Sequence, residues 1–413
     1  MKSMFGPPGQ RGPLLFITLT VLLDTMGFGL IVPVLPTLVS DLGNVPLDEA
    51  AIIGGMLIMT YALAQFLFSP VVGGLSDAYG RRPLLLLSMA GFAANMLVMA
   101  LAPVLWMFFV GRALSGISGA SYTTAYAFIA DVTPQERRAE TFGLVGVAFG
   151  LGFIIGPALG GLLGAENVRL PFFVAAGLAG ANLLLGYFLL PESLPKDRRR
   201  PFDWRRANPV GSLKQISRLG GPLRRLAATY FLWMLAIQSL HGIWSYVAAY
   251  RYEWTPSGIG VSLALVGVLA VVVNGFLVRR SVKIFGEWQT AVIGLSAGTL
   301  GYGLHVLADH SWLAYAAITV GALGGLTVPA LQAMMTARAD TSQQGELQGG
   351  LATLSSLTVI AGPVIFSQIF AHFSGDDAAI HTPGAPFVLA MMLAGMALLM
   401  MFRNERTSGA AGS

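Results

Sequence analysis

Apolar residues run along this chain in long unbroken stretches. They follow neither the three-and-four spacing of a half-buried helix nor the alternation of a strand. A bilayer core about 30 Å thick takes roughly 20 apolar residues of helix. Stretches of that length recur and predict spans over about 13–39, 49–75, 83–102, 104–130, 139–164, 170–190, 224–249, 257–279, 288–308, 312–335, 346–372 and 385–402. Residues 191–223 interrupt the series, being polar and rich in Arg, Lys and Pro. Six spans lie on either side, which predicts an N-terminal bundle over 1–190, a linker over 191–223 and a C-terminal bundle over 224–413. The expected fold class is an all-α membrane protein, because each helix satisfies its own backbone in hydrocarbon.

Composition agrees: 55% of the residues are hydrophobic and 11% charged, with a mean hydropathy of +0.69. Soluble domains carry about 25% charged residues. There is no cysteine, which excludes disulfides, thiolate metal sites and thiol nucleophiles. The net charge of +5 does not form a nucleic-acid-binding face. Of the 25 basic residues, only Arg169 and Arg251 fall in loops on one side and Arg112 falls within a span. All the others sit in segments of the opposite side, which predicts both termini and the linker in the cytoplasm. The first apolar stretch is too long for a signal-peptide core and carries Asp24, so it reads as a retained span.

Two related halves should repeat each other. Between spans 2 and 3 stands Gly74-x-x-Asp77-x-x-Gly80-Arg81-Arg82. Setting Gly80 on Gly286, between spans 8 and 9, puts Asp77 on Lys283 and Arg81 on Glu287. The positions match and the charges are exchanged. Gly80 permits a tight turn, and Asp77 beside the arginines can cap a helix or latch one half to the other, against the plain alternative of a solvated loop. Asp131, at the end of span 4, reads as a surface or latch residue. In span 5, Gly152, Gly156 and Gly160 share a helix face that lets a neighbour approach closely, and Pro157 permits a kink. That is helix packing at least, and a pivot or seal at most.

Asp24 lies within span 1. A charge there costs about 3 kcal/mol even on lenient scales, so such a residue usually faces a cavity. A carboxyl group in that position can carry a proton; the alternative is a structural acid paired with another helix. Arg112, inside span 4, could modulate that acid, face an anionic ligand, or snorkel to an interface. Gln65, Asn95, Gln238, His241 and Gln332 are polar positions inside other spans, where interhelical hydrogen bonding is the commoner use. Tyr61, Tyr126, Trp233 and Trp244 could line a cavity or belt the interfaces. No phosphate-binding Walker loop exists, so ATP does not drive the protein directly. A membrane enzyme or receptor would need a catalytic cluster or a sizeable extramembrane domain, and neither stands out.

Leu23-Asp24-x-x-Gly27-x-Gly29-Leu30-x-x-Pro33-Val34-Leu35-Pro36, the Gly74–Arg82 loop, Gly111-Arg112 and Gly156-Pro157 together resemble the major facilitator superfamily and its twelve-span drug–proton antiporters. Pro329-Ala330-Leu331-Gln332-Ala333-Met334, Gln344-Gly345-x-Leu347-Gln348-Gly349 and Gly362-Pro363 resemble the tetracycline efflux transporters more narrowly. The resemblance implies two pseudo-symmetric six-helix bundles in a bacterial inner membrane, and export of a metal–tetracycline chelate in exchange for protons. Magnesium would enter only as part of the chelate, with no resident cofactor. A monomer is expected, since each half supplies the other's partner surface.

The resemblance puts Asp24 on the substrate and proton path and matches Asp77 and Arg81 to a gating loop. It matches Arg112, Gln65, Gln238 and Trp244 to ligand-facing positions. Joined to the residue reading, it gives proton coupling to Asp24, Arg112 and His241. Substrate contact falls to Asp24, Gln65, Asn95, Arg112, Gln238, Trp244 and Gln332, and gating to Asp77, Gly80, Arg81, Asp131, Gly156 and Pro157. The chain departs from that family at Asn95 and Gly298, where tetracycline exporters carry Asp, and at Ala270, where they carry His. The rival readings are therefore a multidrug–proton antiporter of other amphipathic compounds and, against the Gly156-Pro157 motif, a nutrient symporter.

Overall fold

The computed structural model describes residues 8–119, 122–203, 221–340, 344–375 and 377–409, so that 204–220 of the expected linker lie outside the described residues. The first six spans are built from α1 (Pro8–Ile31), α2 (Leu35–Gly43), α3 (Leu47–Tyr79), α4 (Arg81–Leu101), α5 (Leu105–Gly119), α6 (Tyr122–Val132), α7 (Arg138–Glu166) and α8 (Leu170–Leu189). The later ones are α9 (Gly221–Tyr252), α10 (Pro256–Val272), α11 (Val278–Leu307), α12 (Ser311–Ala322), α13 (Thr327–Arg338), α14 (Gln344–Ser374) and α15 (Ala385–Gly409).

Among the described residues, ten helical stretches are long and apolar enough to cross a membrane. One of them, Pro256–Leu307, holds two spans joined at Gly286, and α5 with α6 makes one more, which gives the twelve expected. The first span breaks between α1 and α2 because Pro33 cannot donate a backbone hydrogen bond, and α2 restarts with proline in its first turn. Asn44 then ends α2 in the left-handed conformation (φ 49°). Two glycines with positive φ make the tight turns after spans 2 and 8: Gly80 at φ 109° and Gly286 at φ 79°.

The chain divides into two compact units. The first comprises residues 1–45, 60–209 and 255–264, the second residues 46–59, 210–254 and 265–413. The helix α3 thus gives its opening turns to the second unit and the rest to the first, and α10 gives its opening turns to the first.

In the first unit, Phe16, Ile17 and Val21 of α1 pack with Leu85 and Met89 of α4, Phe128 and Ile129 of α6, and Val145 of α7. The Thr20 hydroxyl donates to Asn182 Oδ1 and ties α1 to α8. The glycine face of α7 lies against α1: a Cβ on Gly156 would come within 2.6 Å of the Met26 carbonyl and one on Gly152 within 2.7 Å of the Leu22 carbonyl. Gly161 of the same helix meets Gly260 in the first turns of α10, where a Cβ would come within 3.0 Å of the Gly260 Cα.

In the second unit, the opening turns of α3 pack on α9 and α14. Gly54 lies under the Tyr246 ring and Gly55 under Pro363 and Ser367. The indole of Trp233 covers Gly298 and Gly324, and its ring centre lies 6.2 Å from that of Tyr302.

Candidate transport site and its gating loop

Four helices of the first unit build the site. Asp24 and Phe28 lie one turn apart on α1, Tyr61 on α3, Ser88, Phe92 and Met96 on α4, and Arg112, Ser115 and Ser118 on α5. Together they line a cavity of about 60 Å³, room for a few water molecules. Asp24 is half-buried and Arg112 is 5% exposed, with its guanidinium carbon 6.0 Å from the centre of the Phe28 ring. The Tyr61 hydroxyl lines the cavity with Asp24 and Arg112 and accepts from Gln65 Nε2 at 3.3 Å. The site therefore combines a carboxylate, a guanidinium and several hydroxyls in a confined space, where their fields are strong.

A cleft of about 400 Å³ adjoins this cavity, and Phe28 and Tyr61 line both. Its other walls are Thr25, Gln65, Tyr126, Phe149 and Phe153, an aromatic surface with two polar side chains from α1 and α3.

Of the residues expected to gate, Asp77, Gly80, Arg81 and Asp131 come together at one end of the same unit. Arg81 binds Asp77 (Nη1–Oδ1, 2.6 Å), Asp131 (Nε–Oδ2, 3.3 Å) and the Ser76 hydroxyl (2.9 Å). Gly156 and Pro157 lie away from this cluster, on α7 against Gly29 of α1.

Asn95 points elsewhere. Its amide donates to the Ser115 hydroxyl at the α4–α5 contact, and the neighbouring Met96 lines the cavity instead. The remaining expected residues belong to the second unit. Gln238 is buried under Gly362, and Gln332 is half-buried on α13. Trp244 sits in an aromatic cluster with Tyr252, Trp254 and His305, its ring centre 5.2 Å from that of His305. His241 is exposed on α9. Gly294-x-Ser296-x-Gly298 has the letters of a hydrolase elbow but lies inside α11, whereas that elbow is a strand-to-helix turn.

Several residues of the site carry no signal in the sequence. Ser88, Ser115 and Ser118 are ordinary helix-interior hydroxyls until the packing of α4 on α5 turns them toward Asp24. Phe149 and Phe153 read as lipid-facing apolar residues, though their i, i+4 spacing does place them on one face. Glu192, which accepts the Arg81 backbone N–H, sits in a polar stretch with no periodicity to flag it.

The family model of the Major Facilitator Superfamily matches residues 17–363. The class C tetracycline resistance protein of Escherichia coli is 44% identical over 362 residues, covering 88% of this chain and 90% of that protein. The class G tetracycline resistance protein of Vibrio anguillarum is 38% identical, covering 89% of this chain and 92% of its own. Among solved structures, a bacterial homologue of the human lysosomal transporter Spinster, inward-facing and unoccupied, superposes with a TM-score of 0.80 over 97% of this chain and 98% of its own. At 15% identity that likeness speaks for the fold alone. Membrane-spanning helices, a charged cavity within them and these relatives converge: the chain is a multi-pass transporter that belongs to the Major Facilitator Superfamily and, within it, to the family of the tetracycline resistance proteins.

Proposed function

We propose that the protein exports a tetracycline as its magnesium chelate in exchange for protons. One observation carries the reading: Asp24 and Arg112, charged residues from two membrane-spanning helices, line one cavity with the Tyr61 hydroxyl. A carboxyl group in that position trades a proton against a substrate, because the site cannot hold both at equal cost. Arg112 offers a planar set of donors to the oxygens of a chelate. The likeness to the class C and class G proteins supports the choice of drug.

In this reading the bundles 1–190 and 224–413 rock about a midplane site, joined by the linker 191–223. Asp77, Gly80, Arg81 and Asp131 gate the cytoplasmic end, and Gly156 and Pro157 give α7 its pivot. Gln65, on the wall of the cleft, adds a further substrate contact. The protein works as a monomer in a bacterial inner membrane with both termini in the cytoplasm, as the placement of Lys and Arg supports.

A second reading, export of other amphipathic compounds, has its own support. Two of the positions that differ from tetracycline exporters are closed to a charged contact, since Asn95 is turned into the α4–α5 contact and Gly298 lies under Trp233, while the cleft beside Asp24 is aromatic.

The test is proton movement in acid-loaded proteoliposomes on adding tetracycline with magnesium. The expected result is drug-driven proton release by the wild type and none by Asp24→Asn. No response from inserted wild-type protein would sink the tetracycline reading. A response to cationic or neutral drugs alone would put the second reading in its place.

A further inference from the structure

The chain that leaves α8 does not run free. Residues 191–203 fold back over the end of the first unit as a strap, and its contacts fall on the gating loop. Ser193 donates to Asp131 Oδ2 at 3.1 Å, and the Arg200 backbone N–H donates to the Asp77 carbonyl at 3.1 Å. The Phe202 ring covers Gly74, where a Cβ would come within 2.9 Å of it.

Glu192 is the centre of this arrangement. Its Oε1 accepts the backbone N–H of Arg81 at 2.9 Å and that of Leu194 at 3.0 Å, and its Oε2 lies 3.6 Å from Arg199. The contact with Arg81 answers a local need. Arg81 is the first residue of α4, and the residue before it is Gly80, which has no side chain to cap the exposed N–H groups. A carboxylate from 111 positions away fills that place, at the helix end where negative charge is favoured. The same carboxylate group occupies the space where a Cβ on Gly80 would sit. The repeated turn at Gly286 has the same kind of backbone, yet no atom lies within 4 Å of a Cβ placed there. The clasp therefore belongs to one of the two repeated turns.

We infer that Glu192 is a positioning residue of the transport cycle, clasping the strap to the Gly80–Arg81 turn and holding Arg81 in its pairing with Asp77 and Asp131. The inference rests on the gating role proposed above for that loop. Loss of the clasp lets the turn and its arginine drift, which slows the gate without touching the substrate site. The signature is a fall in turnover with substrate affinity kept.

Export kinetics of Glu192→Ala, Glu192→Gln and Arg199→Ala in proteoliposomes provide the test, with a thiol probe on the strap. The chain has no cysteine, so Phe202→Cys gives a single reporter for a membrane-impermeant maleimide. Glu192→Ala is expected to lower the maximal rate about tenfold with KM within about twofold, and to speed maleimide labelling at position 202. Glu192→Gln keeps an acceptor for the Arg81 N–H and is expected to restore most of the rate. Arg199→Ala, which removes the ion pair alone, is expected to have a smaller effect than Glu192→Ala. Wild-type turnover in Glu192→Ala, a change confined to KM, or unchanged labelling at position 202 would overturn the inference. Should Glu192→Ala fail to insert, the rate of Glu192→Gln against Arg199→Ala and the labelling of each decide it. Labelling needs no transported drug, so the clasp can fail while tetracycline export stands, and stand while the choice of drug fails.

Discussion

Gly80 and Gly286 adopt nearly the same backbone conformation, φ 109° and ψ 161° at the first and φ 79° and ψ 173° at the second. Each ends one membrane span and begins the next. The exchanged charges around them, Asp77 and Arg81 against Lys283 and Glu287, then read as two copies of one turn that have diverged.

That conformation is open almost only to glycine, so Gly80→Ala and Gly286→Ala should each cost about 1–3 kcal/mol in backbone strain. Gly80→Ala must also displace Glu192, and nothing lies within reach at Gly286. Thermal unfolding of the purified protein is expected to show a loss in both variants and a larger one in Gly80→Ala. Equal losses would mean that the strap gives way freely.

The aromatic cleft should govern which drugs are exported. Phe149→Ala and Tyr126→Ala each remove a ring from a wall that carries two polar side chains. Truncating a ring that stacks on a bound planar ligand costs about 0.5–1.5 kcal/mol beyond the lost area, so KM should rise several-fold for flat polycyclic drugs. Asp24 and Arg112 stay in place, so the number of protons exchanged per drug exported should not change. Export assays over a panel of flat and non-flat compounds check this, and an equal effect on both groups would count against the cleft.

Restoring an acid at Gly298 should fail on steric grounds. The Trp233 indole, 3% exposed, fills the space over that glycine, and a Cβ alone would collide with the ring. Gly298→Asp is expected to lose several kcal/mol, from overpacking and from an unpaired buried carboxylate. The double variant Gly298→Asp with Trp233→Ala opens the space and should recover part of that stability. Thermal melts of the three proteins check it; a single variant as stable as the wild type would show that Trp233 moves aside without cost.

The sequence by itself determined the spans, the tight turns and the charges worth attention. Span number follows from run length, because a helix in hydrocarbon must satisfy its own backbone and needs no distant partner to do so. The turns at Gly80 and Gly286 are equally local. Asp24 and Arg112 stood out because a charge inside an apolar run is costly wherever the helix lies.

Tertiary structure decided what those residues meet. Asn95 and Met96 are neighbours on α4, and only the packing of α5 turns the first into the helix contact and the second toward Asp24. The hydroxyls of Ser88, Ser115 and Ser118 join the site for the same reason. Trp233 lies 65 positions before Gly298 in the sequence, and nothing in either local pattern says that one fills the other's space. Glu192 reaches Arg81 across 111 residues from a segment without periodicity. Run length and turn chemistry are properties of a few consecutive residues, whereas a cap, a filled cavity or a shared wall depends on which helix faces stand opposite one another, and only the packed structure sets those faces.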